Sequence, residues 1–229
     1  MRATAKRVGP LGRRSIQGRN GFIRRLERAG TKVEPLTREV ERSPTLLKVA
    51  VTQIRPEAGC ARFGASKLLR ILSERRPELV YPHFDFLAGL LKNENSFLRW
   101  NAMLTLGNLA AVDRNKKLDA IIAAYLAPIA GPVMIDAANT IRGAVAIARA
   151  KPYLADTIAT HILQVENATY ATPECRNVAI GHAITALNQI FPLLTNKEHV
   201  QLFAARQADN ARHATGSKAQ RFCKRWTTP

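Results

Sequence analysis

The sequence NSFLRWNAMLTLGNLAAVD, residues 95–113, decides how the rest of the chain is interpreted. Its apolar residues recur at steps of three and four, the spacing that puts side chains on one face of an α-helix. Ala102 is small enough to let another helix approach closely, and Leu106, four residues later, fills the space beside it. These residues predict a helix with a buried stripe.

The same pattern occurs in three other segments, so the chain contains a repeat. The alanines that correspond to Ala102 follow one another at intervals of 37, 35 and 42 residues. In three of the four segments an arginine lies three residues before the alanine, and Met134 takes that place in the third. The four sets are Arg62, Ala65 and Leu69; Arg99, Ala102 and Leu106; Met134, Ala137 and Ile141; and Arg176, Ala179 and Ala183.

The order Arg, two residues, Ala, three residues, Leu resembles the HEAT-repeat family of armadillo-type α-solenoids. It is clearest in RFGASKLL, residues 62–69, and RWNAMLTL, residues 99–106. The resemblance implies an all-α, right-handed α-solenoid of about four to five HEAT-like helical hairpins. It also implies that the repeated arginine pairs with an acidic residue of a turn. Glu57 and Glu94 are the candidates, and no acid stands in the equivalent place before Met134.

The remainder of the sequence fits an all-helical chain. No segment sustains the period-two alternation of a half-buried strand, and turn sequences such as KNEN, AKP and LLTN separate the predicted helices. A hairpin of about 37 residues cannot bury its apolar face alone, so we expect neighbouring hairpins to stack into one elongated core.

Charge divides the chain into three parts. Of the net charge of +18, residues 1–43 contribute +8, residues 44–210 contribute +5 and residues 211–229 contribute +5. We predict a flexible, largely irregular basic N-terminal tail (1–43) with one short helix at 22–29. A HEAT-like solenoid (44–210) and a basic C-terminal capping helix or tail (211–229) follow it. The terminal charge indicates attachment to a polyanion, or a role in solubility.

The C-terminal sequence SKAQRFCKRWTTP combines basic and aromatic residues. Its cations recur at steps of three and four, and Phe222 and Trp226 fall on an adjacent face of the same helix. Two interpretations are open. The helix contacts phosphates or an anionic surface, or it caps the last hairpin by burying the two rings. The candidate anion contacts in the whole chain are Lys67, Arg70, Arg149, Arg221, Lys224 and Arg225.

No sequence motif indicates catalysis, a cofactor or a metal. The five histidines form no pair at metal-ligand spacing, the three cysteines are far apart, and glycine-rich phosphate loops and nucleophile elbows are absent. Asp136, at the start of an apolar helix, is interpreted as a first-turn acid favoured by the helix dipole, with a catalytic carboxylate as the alternative. We therefore expect a non-catalytic protein with no metal and no cofactor.

The resemblance also places a binding surface, because the second helices of an α-solenoid line its concave face. The prediction is a binding or scaffold protein whose groove holds a protein partner. The candidate groove residues are Asn101, Asn108, Asn139 and Arg142.

The alternative is a nucleic-acid-binding protein that resembles the HEAT-like alkylpurine DNA glycosylases. That resemblance makes Asp136 the candidate carboxylate and Arg142 and Arg149 the candidate phosphate contacts. The charge of the side chains that line the groove discriminates between the two functions. A groove lined by Lys67, Arg70, Arg142 and Arg149 favours DNA or RNA, and a groove of amides and apolar side chains favours a protein.

The sequence also bears on location. The longest uncharged run, residues 120–135, has 16 residues and is interrupted by two prolines and a glycine, whereas a spanning helix needs about 20 apolar residues. We therefore predict no transmembrane segment. The expected location is the cytoplasm, with mitochondria as the alternative in a eukaryote because the first residues are rich in arginine. The oligomeric state is left open.

Overall fold

The computed structural model of the protein describes residues 10–28, 30 and 32–226. The regular structure of these residues is entirely helical, with no strand, and this confirms the all-α prediction. By its internal contacts the chain divides into two compact units, Met1–Leu79 and Val80–Pro229. This division coincides with neither of the predicted boundaries, at residues 43 and 210.

The first unit is built around its fourth helix. Its helices are α1 (Pro10–Glu27), α2 (Val33–Glu41), α3 (Pro44–Thr52) and α4 (Ala61–Arg75). The first three each pack against α4. Ser43 caps α3 by accepting a hydrogen bond from the backbone N–H of Leu46, and Pro44 occupies the first helical position, as the sequence predicts.

The prediction of a largely irregular N-terminal tail is wrong for the described part of residues 1–43. Phe22 and Leu26 of α1 and Leu36 and Val40 of α2 are all buried. The glycines and the scarcity of apolar residues give this segment a low intrinsic helix propensity, and packing against α4 outweighs that propensity. Residues 1–9 of the predicted tail lie outside the described residues.

The second unit contains pairs of consecutive helices. A one-turn helix, α5 (Pro77–Val80), spans the sequence position at which the units divide. The helices after it are α6 (Phe84–Gly89), α7 (Ser96–Leu109), α8 (Lys117–Leu126), α9 (Met134–Ala150), α10 (Ala155–Leu163), α11 (Pro173–Ile190), α12 (Glu198–Arg206) and α13 (His213–Trp226). Each even-numbered helix from α6 onwards packs on the odd-numbered helix that follows it.

The second helices of these pairs also pack on one another in order: α7 on α9, α9 on α11 and α11 on α13. Side-chain hydrogen bonds across these junctions join residues at a nearly constant separation. The separation is 37 residues for Arg99 and Asp136, 40 for Arg149 and Gln189, and 38 for Trp226 and Asn188. The repeat seen in the sequence is therefore also a repeat of contacts within the second unit.

The residues of the repeat pattern form the predicted buried stripe. The four alanines and the four residues that follow them at i+4 are at most 2% exposed. A close backbone approach lies further along α7, where a Cβ atom on Gly107 would stand 2.7 Å from the carbonyl oxygen of Gly143 on α9. Glycine at this crossing lets the two helices approach more closely than alanine would allow.

Within the predicted C-terminal segment, residues 213–226 form the helix α13. Phe222 of α13 is buried, and its ring meets Phe191 edge-on at a centroid distance of 5.2 Å. The half-buried Trp226 ring lies 4.8 Å from the same phenylalanine. The two aromatic residues therefore pack against the preceding helical pair, as the capping interpretation predicted, and the basic residues of α13 remain at the surface.

Candidate anion-binding surface

The solvent-facing side of α9, α11 and α13 is rich in basic residues. We call it the basic face. The only carboxylates in these three helices are Asp136, which is buried, and Glu174, whose carboxylate binds Arg212 at 2.8 Å. No unpaired acid therefore offsets the positive charge of the three helices. The basic face consists of Arg142 and Arg149 on α9, His182 on α11, and Lys218, Arg221 and Arg225 on α13.

The contacts between helices keep these side chains in register. Arg149 of α9 donates to the amide oxygen of Gln189 on α11 at 3.0 Å. Arg142 and His182 each lie seven residues, about two turns, before this pair and are exposed. Lys218 of α13 donates to the carbonyl oxygen of Gly181, the neighbour of His182. The basic face thus continues across all three helices.

A cavity of about 460 Å³ opens between α11 and α13 within this face. We call it the α11/α13 pocket. Ile184 and Phe222 supply its apolar wall, and no carboxylate lines it. The polar side chains around it are Thr185, Asn188, Lys218, Arg221 and Arg225.

The ionisation of two residues reflects this concentration of positive charge. Burial lowers the pKa of Lys218, and the neighbouring Arg212 and Arg221 lower it further. Although His182 is exposed at the surface, partial desolvation of its ring lowers its pKa, and repulsion from Lys218 and Arg212 lowers it further. A bound anion would relieve this repulsion, so the surface is arranged to gain from anion binding.

Replacing His182 with Asn is expected to flatten the pH dependence of stability. Because the pKa of His182 is lower in the folded chain, the unfolded chain binds more protons as the pH falls through about 6.5, and the free energy of unfolding drops. Urea unfolding at about pH 7 and pH 5 measures the effect. Between these two pH values the wild type should lose more free energy of unfolding than the variant loses. The control is His161→Asn on α10. An equal loss in wild type and His182→Asn would contradict the prediction.

The structure contradicts one residue of the predicted amide groove, Asn101. Asn101 is only 7% exposed, and its amide donates to the carbonyl oxygen of Phe97 in its own helix. Asn139 makes the equivalent bond to Ile135, and Asn108 is half-buried. The interpretation of Asn101 as a groove residue is wrong, because its side chain turns towards its own backbone instead of the solvent.

The remaining candidate anion contacts differ in their surroundings. Lys67 and Arg70 lie on α4 of the first unit, where Lys67 is half-exposed and Arg70 forms an ion pair with Glu74 at 2.6 Å. Lys224 is exposed on α13 but does not line the α11/α13 pocket. Arg221 and Arg225 both line it.

Asp136 has a structural role in the fold. Arg99 of α7 donates two hydrogen bonds to its carboxylate, of 3.0 and 3.1 Å, and the indole N–H of Trp100 donates a third. The expected pairing of Arg99 with the Glu94 side chain is absent from the described residues, since Arg99 reaches only the backbone carbonyl of Glu94. Asp136 therefore links α9 to α7, which accounts for its near-complete burial.

A second group of charged residues surrounds Lys151, which is 5% exposed. Its ammonium binds Asp113 at 3.0 Å and Asp119 at 2.6 Å, and also bonds the hydroxyl of Tyr153. Tyr81 donates to Asp113, whose carboxylate also caps the start of α8. Burial would lower the pKa of Lys151, but its hydrogen bonds outweigh burial and raise it, so the amine stays charged.

Sequence reasoning missed part of the surface. It selected Arg221 and Arg225 as anion contacts and noted the three- and four-residue steps of the C-terminal cations, which include Lys218, but it did not place Asn188 or His182 among the anion contacts. The side chains that α11 adds to this face depend on how two helices pack, and no local spacing shows that.

Comparison with known proteins gives no family assignment. No protein-family model matches the chain, and no curated protein matches it. Within the described residues, no helix is long and apolar enough to cross a bilayer, and no three His, Cys, Asp or Glu side chains cluster as a metal site.

Proposed function

We propose that this protein is a HEAT-like α-solenoid that binds the phosphodiester backbone of a nucleic acid through its basic face. The observation that carries the proposal is the run of six basic side chains across α9, α11 and α13 with no unpaired carboxylate on these helices. Lysine and arginine side chains bind phosphates by displacing condensed counterions, and this mode of binding is independent of sequence. The net charge of +18 adds long-range attraction.

The solenoid part of the proposal rests on the order of packing in the second unit. Paired helices whose second members pack in sequence, with bonds repeating at 37 to 40 residues, are what stacked HEAT-like hairpins require. Stacking of this kind aligns the exposed stripes of successive helices into one surface. The proposed role is binding and not catalysis.

The test is a salt titration of nucleic-acid binding by the full-length chain. Neutralising Arg142 and Arg149 together, by substitution with Gln, should weaken binding and reduce the slope of log K against log salt by about 2 for duplex DNA. The control neutralises Arg55 and Arg114, which are also exposed but lie outside the basic face. An equal change of slope in both double variants would contradict the proposal.

A second candidate function is the binding of a protein partner by the same unit. The observation in its favour is a set of exposed apolar side chains at the starts of α7 and α9, namely Phe97, Val133 and Ile135, which are 38 to 45% exposed. Exposed apolar side chains at the starts of neighbouring helices favour a protein contact there. Substituting Ile135 with Ser should abolish such an interaction and leave nucleic-acid binding unchanged.

A further inference from the structure

The α11/α13 pocket differs from the rest of the basic face because its hydrogen-bond donors converge on one cavity. Three cations reach it from a single helix, at positions 218, 221 and 225. A flat basic surface binds a nucleic-acid backbone through contacts spread along the strand, whereas a pocket can enclose one anionic group. The pocket therefore points to a discrete ligand group and not only to general attraction.

Its neutral donors are also oriented. The amide oxygen of Asn188 accepts the indole N–H of Trp226 at 2.7 Å, which leaves the amide NH₂ of Asn188 to donate towards the pocket. The guanidinium carbon of Arg225 lies 4.7 Å from the centre of the Trp226 ring, a cation–π contact that restrains the arginine side chain. Trp226 thus fixes two donors of the pocket at once.

The cations keep donors free for a ligand. Among the described residues, the Lys218 ammonium donates one hydrogen bond, to the carbonyl oxygen of Gly181. Two of its three N–H groups therefore remain available to a ligand. No described carboxylate forms an ion pair with Lys218, Arg221 or Arg225. A ligand with two negative charges and several acceptor oxygens would satisfy this arrangement.

Charge distinguishes two kinds of phosphate. A phosphodiester inside a strand carries one negative charge. A terminal phosphomonoester carries about 1.5 to 2 negative charges near pH 7 and presents three acceptor oxygens. We propose that the α11/α13 pocket binds a terminal phosphomonoester of a nucleic-acid strand, so that the protein recognises phosphorylated ends. This inference rests on the nucleic-acid-binding function proposed above.

The test compares strands that differ only at one end. Full-length protein is titrated with two labelled single strands of identical sequence, one with a 5′-phosphate and one with a 5′-hydroxyl. A third strand carries a 3′-phosphate. We expect a phosphorylated strand to bind about tenfold more tightly than the 5′-hydroxyl strand, because the pocket adds charge-assisted hydrogen bonds.

Arg221→Gln should reduce the ratio of the affinities for phosphorylated and 5′-hydroxyl strands to about one. Lys224→Gln is the matched control. Both substitutions remove one positive charge from the exposed surface of α13, but only Arg221 lines the pocket. Lys224→Gln should therefore weaken all strands alike and keep the ratio. Equal ratios in the two variants would overturn the assignment to this pocket.

The remaining outcomes separate this inference from the proposed function. Salt-sensitive binding of all strands without preference overturns the terminal-phosphate inference and leaves the nucleic-acid function standing. Failure to bind any strand overturns both. A nucleoside 5′-monophosphate that competes as well as the phosphorylated strand would show a site for free nucleotides, and recognition of strand ends would be wrong.

Discussion

Replacing Lys151 with Met is expected to lower the free energy of unfolding by about 3 to 5 kcal/mol, because it leaves buried carboxylates without their cation. The Asp113 side chain is fully buried, and the Asp119 side chain is 23% exposed. Methionine keeps much of the length of the lysine side chain, so the change removes mainly charge and hydrogen bonds. Urea unfolding at neutral pH measures the effect.

The chain contains a matched control for this prediction. Lys117 and Asp85 are also paired at 2.6 Å, but the Asp85 side chain is 79% exposed and that of Lys117 is 37% exposed. Exposed ion pairs contribute about 0 to 1 kcal/mol, so Lys117→Met should have little effect. Similar losses in the two variants would mean that Lys151 is not buried against its carboxylates.

Replacing Leu106 with Ala should cost about 2 to 5 kcal/mol. Leu106 is fully buried in α7, four residues after Ala102, so the substitution removes apolar contacts and leaves a cavity in the stripe that the repeat creates. The cost would approach the upper end of this range where the glycine crossing of α7 and α9 prevents the helices from closing the cavity.

Leu202→Ala on α12 makes the same chemical change at a residue that is 50% exposed. Its effect should stay within about 0.5 kcal/mol, since half of the side chain is already in water. A loss for Leu106→Ala below about 0.5 kcal/mol would show that the repeat pattern does not mark the core.

The helices of the second unit were predictable because each contains its own periodic apolar stripe. The apolar spacing over residues 173–191, for example, predicts one helix, and the structure has α11 at Pro173–Ile190. The apolar spacing over residues 78–91 also predicts one helix, but the structure divides this stretch into α5, α6 and short turns of 3₁₀ helix. Pro82 lies inside the predicted helix, and it cannot donate the backbone hydrogen bond that a continuous helix needs.

Polar residues were harder to interpret than apolar ones. Asn101 and Asp136 each have a sequence position that suits a binding site, yet both are held by partners within the fold. Lys151 lies in the sequence AKP, which was interpreted as a turn, and its partners Asp113 and Asp119 are more than 30 residues away. A charge is buried only where distant partners satisfy it, so local sequence does not reveal it.

The sequence by itself determined the helical class of this protein, the repeat and its buried stripe, since apolar period and small-residue spacing act within a few turns of one helix. The tertiary structure alone decided that α1 and α2 pack against α4 instead of forming a tail. It also decided that Thr185 and Asn188 of α11 share a pocket with three cations of α13. Both outcomes depend on which surfaces pack together from segments that are 30 or more residues apart in sequence. The free energy of that packing is not encoded in any single segment.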